Sequence, residues 1–407
     1  MRIVYISHSA VVPTYHTFFS PLAQSPDIDF VLITPEQYKE AGHITTAYRG
    51  DGSYQVVPLP VVFGKSGRQN LHFYKRLYPV LWHLQPDILH LHEEPESLVT
   101  LQAVSIVRQF PKRPKILLVS WRNLPDYYQL WHRWQIQRYL YPRLTQWTLR
   151  RIDHLCTGTR EGEAIFRSLG YAGPITYLPH HAVDTKQFFP YSPERRRALK
   201  AELLGDPATV AIGYVGRLWS LKGVDLLIRA LAMLRSLPWQ AVLVGSGRDE
   251  QWLRQMVAEA GLTGRIRFFG ACPPERIPEV MNALDVLVLP SRTTKEGKEQ
   301  FGRVLIEAMA CRTAVIGSSS GEIPVVIGDA GLVFPENDHT ALAQHLRALV
   351  EDEQLRNEIA IKGYHRVRQH FSGEAIAQRI RALYEQMLSR DHGVKELGGS
   401  PGVSLDG

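Results

Sequence analysis

Cysteine is scarce. The 407 residues contain 3, Cys156, Cys272 and Cys311, far apart and without a Cys-x-x-Cys pair. Neither a disulfide framework nor a cysteine zinc site is indicated, and a reducing compartment is favoured. Long apolar runs are missing too. No run approaches the roughly eighteen apolar residues of a membrane span, and the segment from Met1 to Ser7 is too short for a secretory core. The expectation is a cytosolic protein without a membrane span. With 44% hydrophobic and 21% charged residues, the chain also falls outside the disordered and fibrous classes.

Charge of one sign is not in large excess, with 47 Lys and Arg against 40 acids, but it is unevenly placed. Between Arg108 and Arg151 ten bases face the single acid Asp126. Regional basicity points to one docking face for an anionic surface rather than to general nucleic-acid affinity.

Short apolar runs alternate with helix-length segments. Arg2 to Ser7, Ile28 to Thr34, Asp87 to His92, Lys115 to Ser120 and Ile152 to Cys156 read as parallel strands buried on both faces. The rhythm restarts after the Pro-containing stretch Phe188 to Pro193, with Thr209 to Val215, Gln240 to Gly245, Arg265 to Phe269, Asp285 to Leu289 and Thr313 to Gly317. Two such sets predict an α/β protein of two doubly wound, Rossmann-like domains facing each other across a cleft. The expected divisions are 1–187, 188–372, a final helix within 373–390, and a flexible Gly- and Ser-rich tail, 391–407.

The clearest chemistry lies in the second set. The strand ending at Val215 runs into Gly216-Arg217-Leu218-Trp219-Ser220-Leu221-Lys222-Gly223, then an apolar-periodic helix. Glycine at a strand exit admits a ligand to the backbone, and a helix N-terminus with two cations suits phosphate. Downstream, Glu299-Gln300-Phe301-Gly302-Arg303 leads into a helix carrying Glu307. Carboxylates accept hydrogen bonds from sugar hydroxyls, whereas Arg and Lys match phosphates, so the combination suits a nucleoside diphosphate sugar.

These segments, with Val244-Gly245-Ser246-Gly247 and Leu178-Pro179-His180-His181-Ala182-Val183-Asp184, resemble the family 4 retaining glycosyltransferases of the GT-B fold. The ordered matches span roughly residues 150 to 350. The resemblance implies that Arg217 and Lys222 hold the diphosphate, Glu307 the ribose, and Glu299 the donor sugar. Gly216, Gly245, Phe301, Gly302 and Arg303 then complete the donor site. It further implies a retaining, metal-independent transfer to an acceptor hydroxyl, with no cofactor beyond the donor co-substrate, and a last helix, Ala375 to Leu388, crossing back to the first domain. A non-catalytic nucleotide-sugar-binding protein and, lower in rank, a GT-B-like epimerase are the alternatives.

The chain departs from the family at Ser7-His8-Ser9-Ala10, where Gly-Gly is usual, at Trp121-Arg122-Asn123, where many members have His, and at Val325, where an acid is usual and Glu322 stands nearby. His8, Ser9, His92, Glu93 and Arg122 are the candidate acceptor-side residues, Arg122 being equally readable as a structural salt bridge. No metal site is expected. Asp27-Ile28-Asp29 reads as a polar turn, and His90-Leu91-His92-Glu93-Glu94 lacks an evident third ligand. For residues 108–151, rich in Trp and Tyr, two readings stay open: aromatics packed between helices, or docking on an anionic membrane. Nucleic acid is not expected, since no binding module accompanies them.

Overall fold

A computed structural model describes residues 1–40, 43–68, 70–124, 135–295 and 297–389. Residues 125–134, with Tyr127, Tyr128, Trp131 and Trp134, and the tail from 390 lie outside the described residues. The chain divides into two compact units. One comprises residues 1–182 with the stretch from Gly373, and the other residues 183–372.

In the first unit seven parallel strands form one sheet: β1 (Arg2–Ile6), β2 (Asp29–Pro35), β3 (Gln55–Leu59), β4 (Ile88–His92), β5 (Lys115–Ser120), β6 (His154–Thr157) and β7 (Ile175–Tyr177). Their order is β7-β6-β5-β4-β1-β2-β3. Side chains alternate across the sheet, so Val4, Ile6, Val31, Ile33, Leu89 and Leu91 enter one core, while Ile3, Tyr5, Phe30 and Leu32 enter another. The second core is closed by the last helix, Gly373–Ser389, through Ile376, Ile380, Leu383, Tyr384 and Met387. Two short antiparallel pairs stand apart from the sheet, Gln37–Glu40 with His43–Thr46 and Val61–Val62 with Phe73–Tyr74.

The second unit repeats the plan with β8 (Val210–Val215), β9 (Trp239–Val244), β10 (Ile266–Gly270), β11 (Val286–Leu289), β12 (Ala314–Ser318) and β13 (Leu332–Phe334). The order is β10-β9-β8-β11-β12-β13. Its first helix, Pro193–Leu204, starts where Ser192 accepts the Arg195 N–H and proline occupies the first turn, whose N–H would lack a partner anyway.

In both sheets strand order reverses beside the first strand, between β1 and β4 and between β8 and β11. The crevice outside the carboxyl ends of the strands at such a point is where open α/β sheets bind ligands. Besides the two short antiparallel pairs, three strands of the main sheets lie beyond those expected from apolar runs: β3, β7 and β13. All three are sheet edges, and each is short or interrupted: Pro58 breaks Gln55–Leu59, and the other two have three residues each. Among the described residues no helix is long and apolar enough to cross a membrane.

Candidate functional site

Loops leaving β8, β9, β11 and β12 interlock through backbone contacts at the carboxyl edge of the second sheet. Gly216 N–H donates to the Val244 carbonyl, Arg292 N–H to the Leu221 carbonyl at 2.8 Å, and Glu322 N–H to the Glu299 carbonyl at 3.3 Å. Two of these approaches require glycine. A Cβ on Gly245 would lie 1.9 Å from the Gly216 carbonyl oxygen, and one on Gly223 would lie 1.9 Å from that of Pro290. Both residues have positive φ, 135° and 65°. An ion pair in which Arg292 Nη2 meets both oxygens of Asp225, at 2.7 and 2.8 Å, ties the loop after β11 to the helix after β8.

This interlocking brings together residues 77 positions apart: Lys222 Nζ lies 2.6 Å from Glu299 Oε2. Ser291 Oγ donates to the same oxygen at 2.7 Å. The pair is mostly but not fully enclosed, with side-chain exposures of 18% and 12%. Arg217 is exposed, its guanidinium 4.5 Å from the centre of the Trp219 ring, and the Arg248 guanidinium is 5.7 Å from the same ring. The Tyr214 hydroxyl donates to the Arg217 carbonyl at 2.7 Å. Burial first, then the Glu299 charge, pushes that phenol far up, against the opposing pull of Arg217.

Gly302 precedes the helix Arg303–Ala310 in a left-handed conformation, and Phe301 is buried. Glu307 is paired with Arg303, Nε to Oε1, at 3.2 Å. Burial raises its carboxyl above the ordinary value, partly offset by the Arg303 charge and hydrogen bond. The expected donor-side residues thus include two contacting pairs, Lys222 with Glu299 between loops and Arg303 with Glu307 within one helix.

In the first unit the expected acceptor-side residues do not present a common surface. His8, Glu93 and Arg122 are buried, at 8%, 4% and 4% exposure. Glu93 Oε1 accepts the His8 backbone N–H and Oε2 meets His8 Nδ1, both at 2.7 Å. Burial works to raise the Glu93 carboxyl, but the His8 charge and hydrogen bonds, with the His72 charge, outweigh it, leaving the group below the ordinary value. Arg122 Nη2 contacts both Glu96 oxygens at 2.9 and 2.8 Å and lies 3.7 Å from Glu94. The salt-bridge reading of Arg122 therefore replaces ligand contact, because its charge is neutralised inside the unit. Ser9 is half-exposed and hydrogen-bonded to Ser7.

The histidines of β4 are internal hydrogen-bonding groups. His92 Nε2 accepts the Trp121 indole N–H at 2.7 Å, which leaves the proton on Nδ1 to donate to the Tyr5 hydroxyl at 2.7 Å. His90 Nδ1 meets the Tyr384 hydroxyl at 2.6 Å. Burial, with neighbouring imidazoles, holds both well below the usual histidine value. Asp27 and Asp29 sit at the amino end of β2, pairing with Arg381 and Arg2. Ser291, Arg292 and His72 were not singled out by motif, since a serine, an arginine and a lone histidine carry no spacing signal.

Residues 196–366 match the family described as Glycosyl transferases group 1, and residues 22–181 match the Glycosyl transferase 4-like domain. The chain is 34% identical over 223 residues to a D-inositol 3-phosphate glycosyltransferase of Corynebacterium jeikeium, covering 51% of each. It spans about half the length of that relative. Over 259 residues it is 32% identical to the lipopolysaccharide core biosynthesis mannosyltransferase LpcC of Rhizobium leguminosarum bv. viciae, covering 60% of this chain and 67% of that one. Sucrose-phosphate synthase from Thermosynechococcus elongatus shares the fold, with TM-score 0.72, 22% identity, and coverage of 96% of this chain and 100% of that one.

Proposed function

The chain belongs to the group 1, family 4-like glycosyl transferases, and on that premise we propose that it is a retaining, metal-independent transferase acting on a nucleoside diphosphate sugar. The observation that carries the reading is the Lys222–Glu299 contact at the switch point of the second sheet. It sets a phosphate-matching cation against a hydroxyl-matching carboxylate, the two functions that a sugar diphosphate needs at its glycosidic bond.

In this reading Arg217 and Lys222 take the diphosphate, and Lys222 exchanges part of its contact with Glu299 for phosphate oxygen. Glu299 accepts sugar hydroxyls, Glu307 accepts ribose hydroxyls, and the Phe301–Gly302 backbone with Arg303 seats the distal phosphate and sugar. Negative charge grows on the bridging oxygen as the glycosidic bond breaks, and fixed cations stabilise it without a divalent ion. The acceptor hydroxyl adds to the anomeric carbon on the same face, and its proton passes to the leaving phosphate. No protein nucleophile is assigned. On the acceptor side Ser9 and His92, both half-exposed, are the candidates for ligand contact in this reading, with His8 and Glu93 buried behind them.

Donor hydrolysis separates this reading from a binding protein that lacks turnover. Incubated with UDP-, GDP- and ADP-sugars and no acceptor, the protein is expected to release free sugar slowly from one of them. Tight donor binding with no release from any sugar would favour the binding protein, and interconversion of donors would favour an epimerase.

Exposed Tyr139 and Leu140 share the helix Gln135–Leu149 with exposed Arg143, which supports peripheral docking on an anionic membrane. By contrast, Arg122 is neutralised by Glu96, and Arg151 stacks on Trp147 at 4.2 Å, so neither adds to that face. Co-sedimentation with anionic vesicles should be lost as salt rises. Absence of binding at low salt would remove the docking.

A further inference from the structure

We propose that His8, His72 and Glu93 form a three-ligand zinc site in the first unit. The inference goes beyond the donor chemistry, and it departs from the expectation that the chain holds no metal. Three separate segments deliver the ligands: the turn after β1, the residue before the short strand Phe73–Tyr74, and the residue after β4. One donor atom from each lies within 4.8 Å of the others, and all three residues are buried. His8 Nδ1 is 2.7 Å from Glu93 Oε2, and His72 Nε2 is 3.9 Å from Glu93 Oε1. Around a tetrahedral zinc with bonds of about 2.0–2.1 Å, ligand atoms stand about 3.3 Å apart. One contact is shorter than that edge and the other longer, so small side-chain rotations in opposite senses would admit the ion.

The donor set is specific in kind. Two imidazoles and a carboxylate suit zinc and neighbouring first-row divalent ions, not the oxygen cages of calcium and magnesium. A single carboxylate among neutral imidazoles leaves a dication only partly neutralised, as in other His2Glu zinc sites. The surroundings are already ordered. The His8 backbone N–H orients Glu93 at 2.7 Å, and the Tyr38 ring packs 5.0 Å from His8 and 5.1 Å from His72. Tyr38, Tyr74 and His72 are at most 1% exposed, so the walls are closed, and three protein ligands leave a tetrahedral ion one further position. An ion there would fasten the Val61–Val62 and Phe73–Tyr74 pair to the carboxyl edge of the sheet, where β1 and β4 meet.

The test uses the full chain without a histidine tag, stripped with chelator and then dialysed against zinc chloride, with no donor or acceptor present. Failure here therefore leaves the transferase reading untouched. Uptake of one zinc per chain is expected, with a rise in the melting temperature. X-ray absorption of the zinc form should show a nitrogen and oxygen shell with imidazole scattering and no sulfur. In His72→Phe the affinity should fall by more than the roughly 10- to 100-fold that loss of an outer partner costs. The spectrum of the wild-type protein decides the matter should that variant fail to fold. No stoichiometric uptake, a shell containing sulfur, or uptake unchanged in His72→Phe would each overturn the site, the first meaning that a proton between His8 and Glu93 suffices.

Discussion

Turnover of the Lys222→Ala protein is expected to fall by about 10²- to 10³-fold, the usual cost of removing one preorganised group aimed at developing charge. The effect should appear in kcat, because charge on the bridging oxygen grows toward the transition state and a group that meets it there does more than hold the ground state. Arg217→Ala should act in the same direction. Arg217 is exposed and stacked on Trp219, so its loss leaves no buried charge behind. Lys222 differs, since its removal leaves Glu299 with Ser291 alone of the two contacts described. A fall in kcat without a matching fall in melting temperature in both variants assigns the loss to chemistry. Wild-type turnover in either would contradict the role given to it.

Arg122→Met should strongly destabilise the first unit. Arg122 and Glu96 side chains are 1% and 0% exposed, and breaking such a pair from one side leaves an uncompensated buried carboxylate, at a cost of about 3–5 kcal/mol. The Thr145 hydroxyl at 3.2 Å cannot replace a guanidinium. For a unit of this size the melting transition should drop on the order of 10 °C. The double variant Arg122→Met, Glu96→Leu should recover most of that, because apolar residues of similar volume then fill the space. A single variant that melts like wild type, or a double variant worse than the single, would show that the pair does not carry this weight.

The interior strands were legible because burial on both faces demands continuous Val and Ile runs, as at Val286–Leu289 and Ile88–His92. Among the edge strands Ile266–Gly270 was legible from its Ile and Phe residues, whereas Gln55–Leu59, broken by Pro58, and the three-residue strands Ile175–Tyr177 and Leu332–Phe334 were too short or interrupted to read. On the donor side the residue types at Arg217, Lys222, Glu299 and Glu307 were readable by motif. The direct contact of Lys222 with Glu299 was not, because it depends on how loops from two non-consecutive strands meet across the switch point. On the other sheet the sequence made His8 and Glu93 candidates for ligand contact and left Arg122 open between a ligand and a structural salt bridge. Their charges instead close on partners far away in sequence, Glu93 on His8 and Arg122 on Glu96, and separations of that kind leave no local pattern.

The measurement that bears most directly on the donor site is calorimetric titration of UDP, GDP and ADP into the wild-type, Lys222→Ala and Glu307→Ala proteins. One nucleotide should bind the wild type in a one-to-one ratio, weaken on loss of the lysine that meets its phosphates, and weaken again on loss of the carboxylate that meets its ribose. Binding of none of the three, or binding indifferent to both substitutions, would mean that these loops do not hold a nucleoside diphosphate.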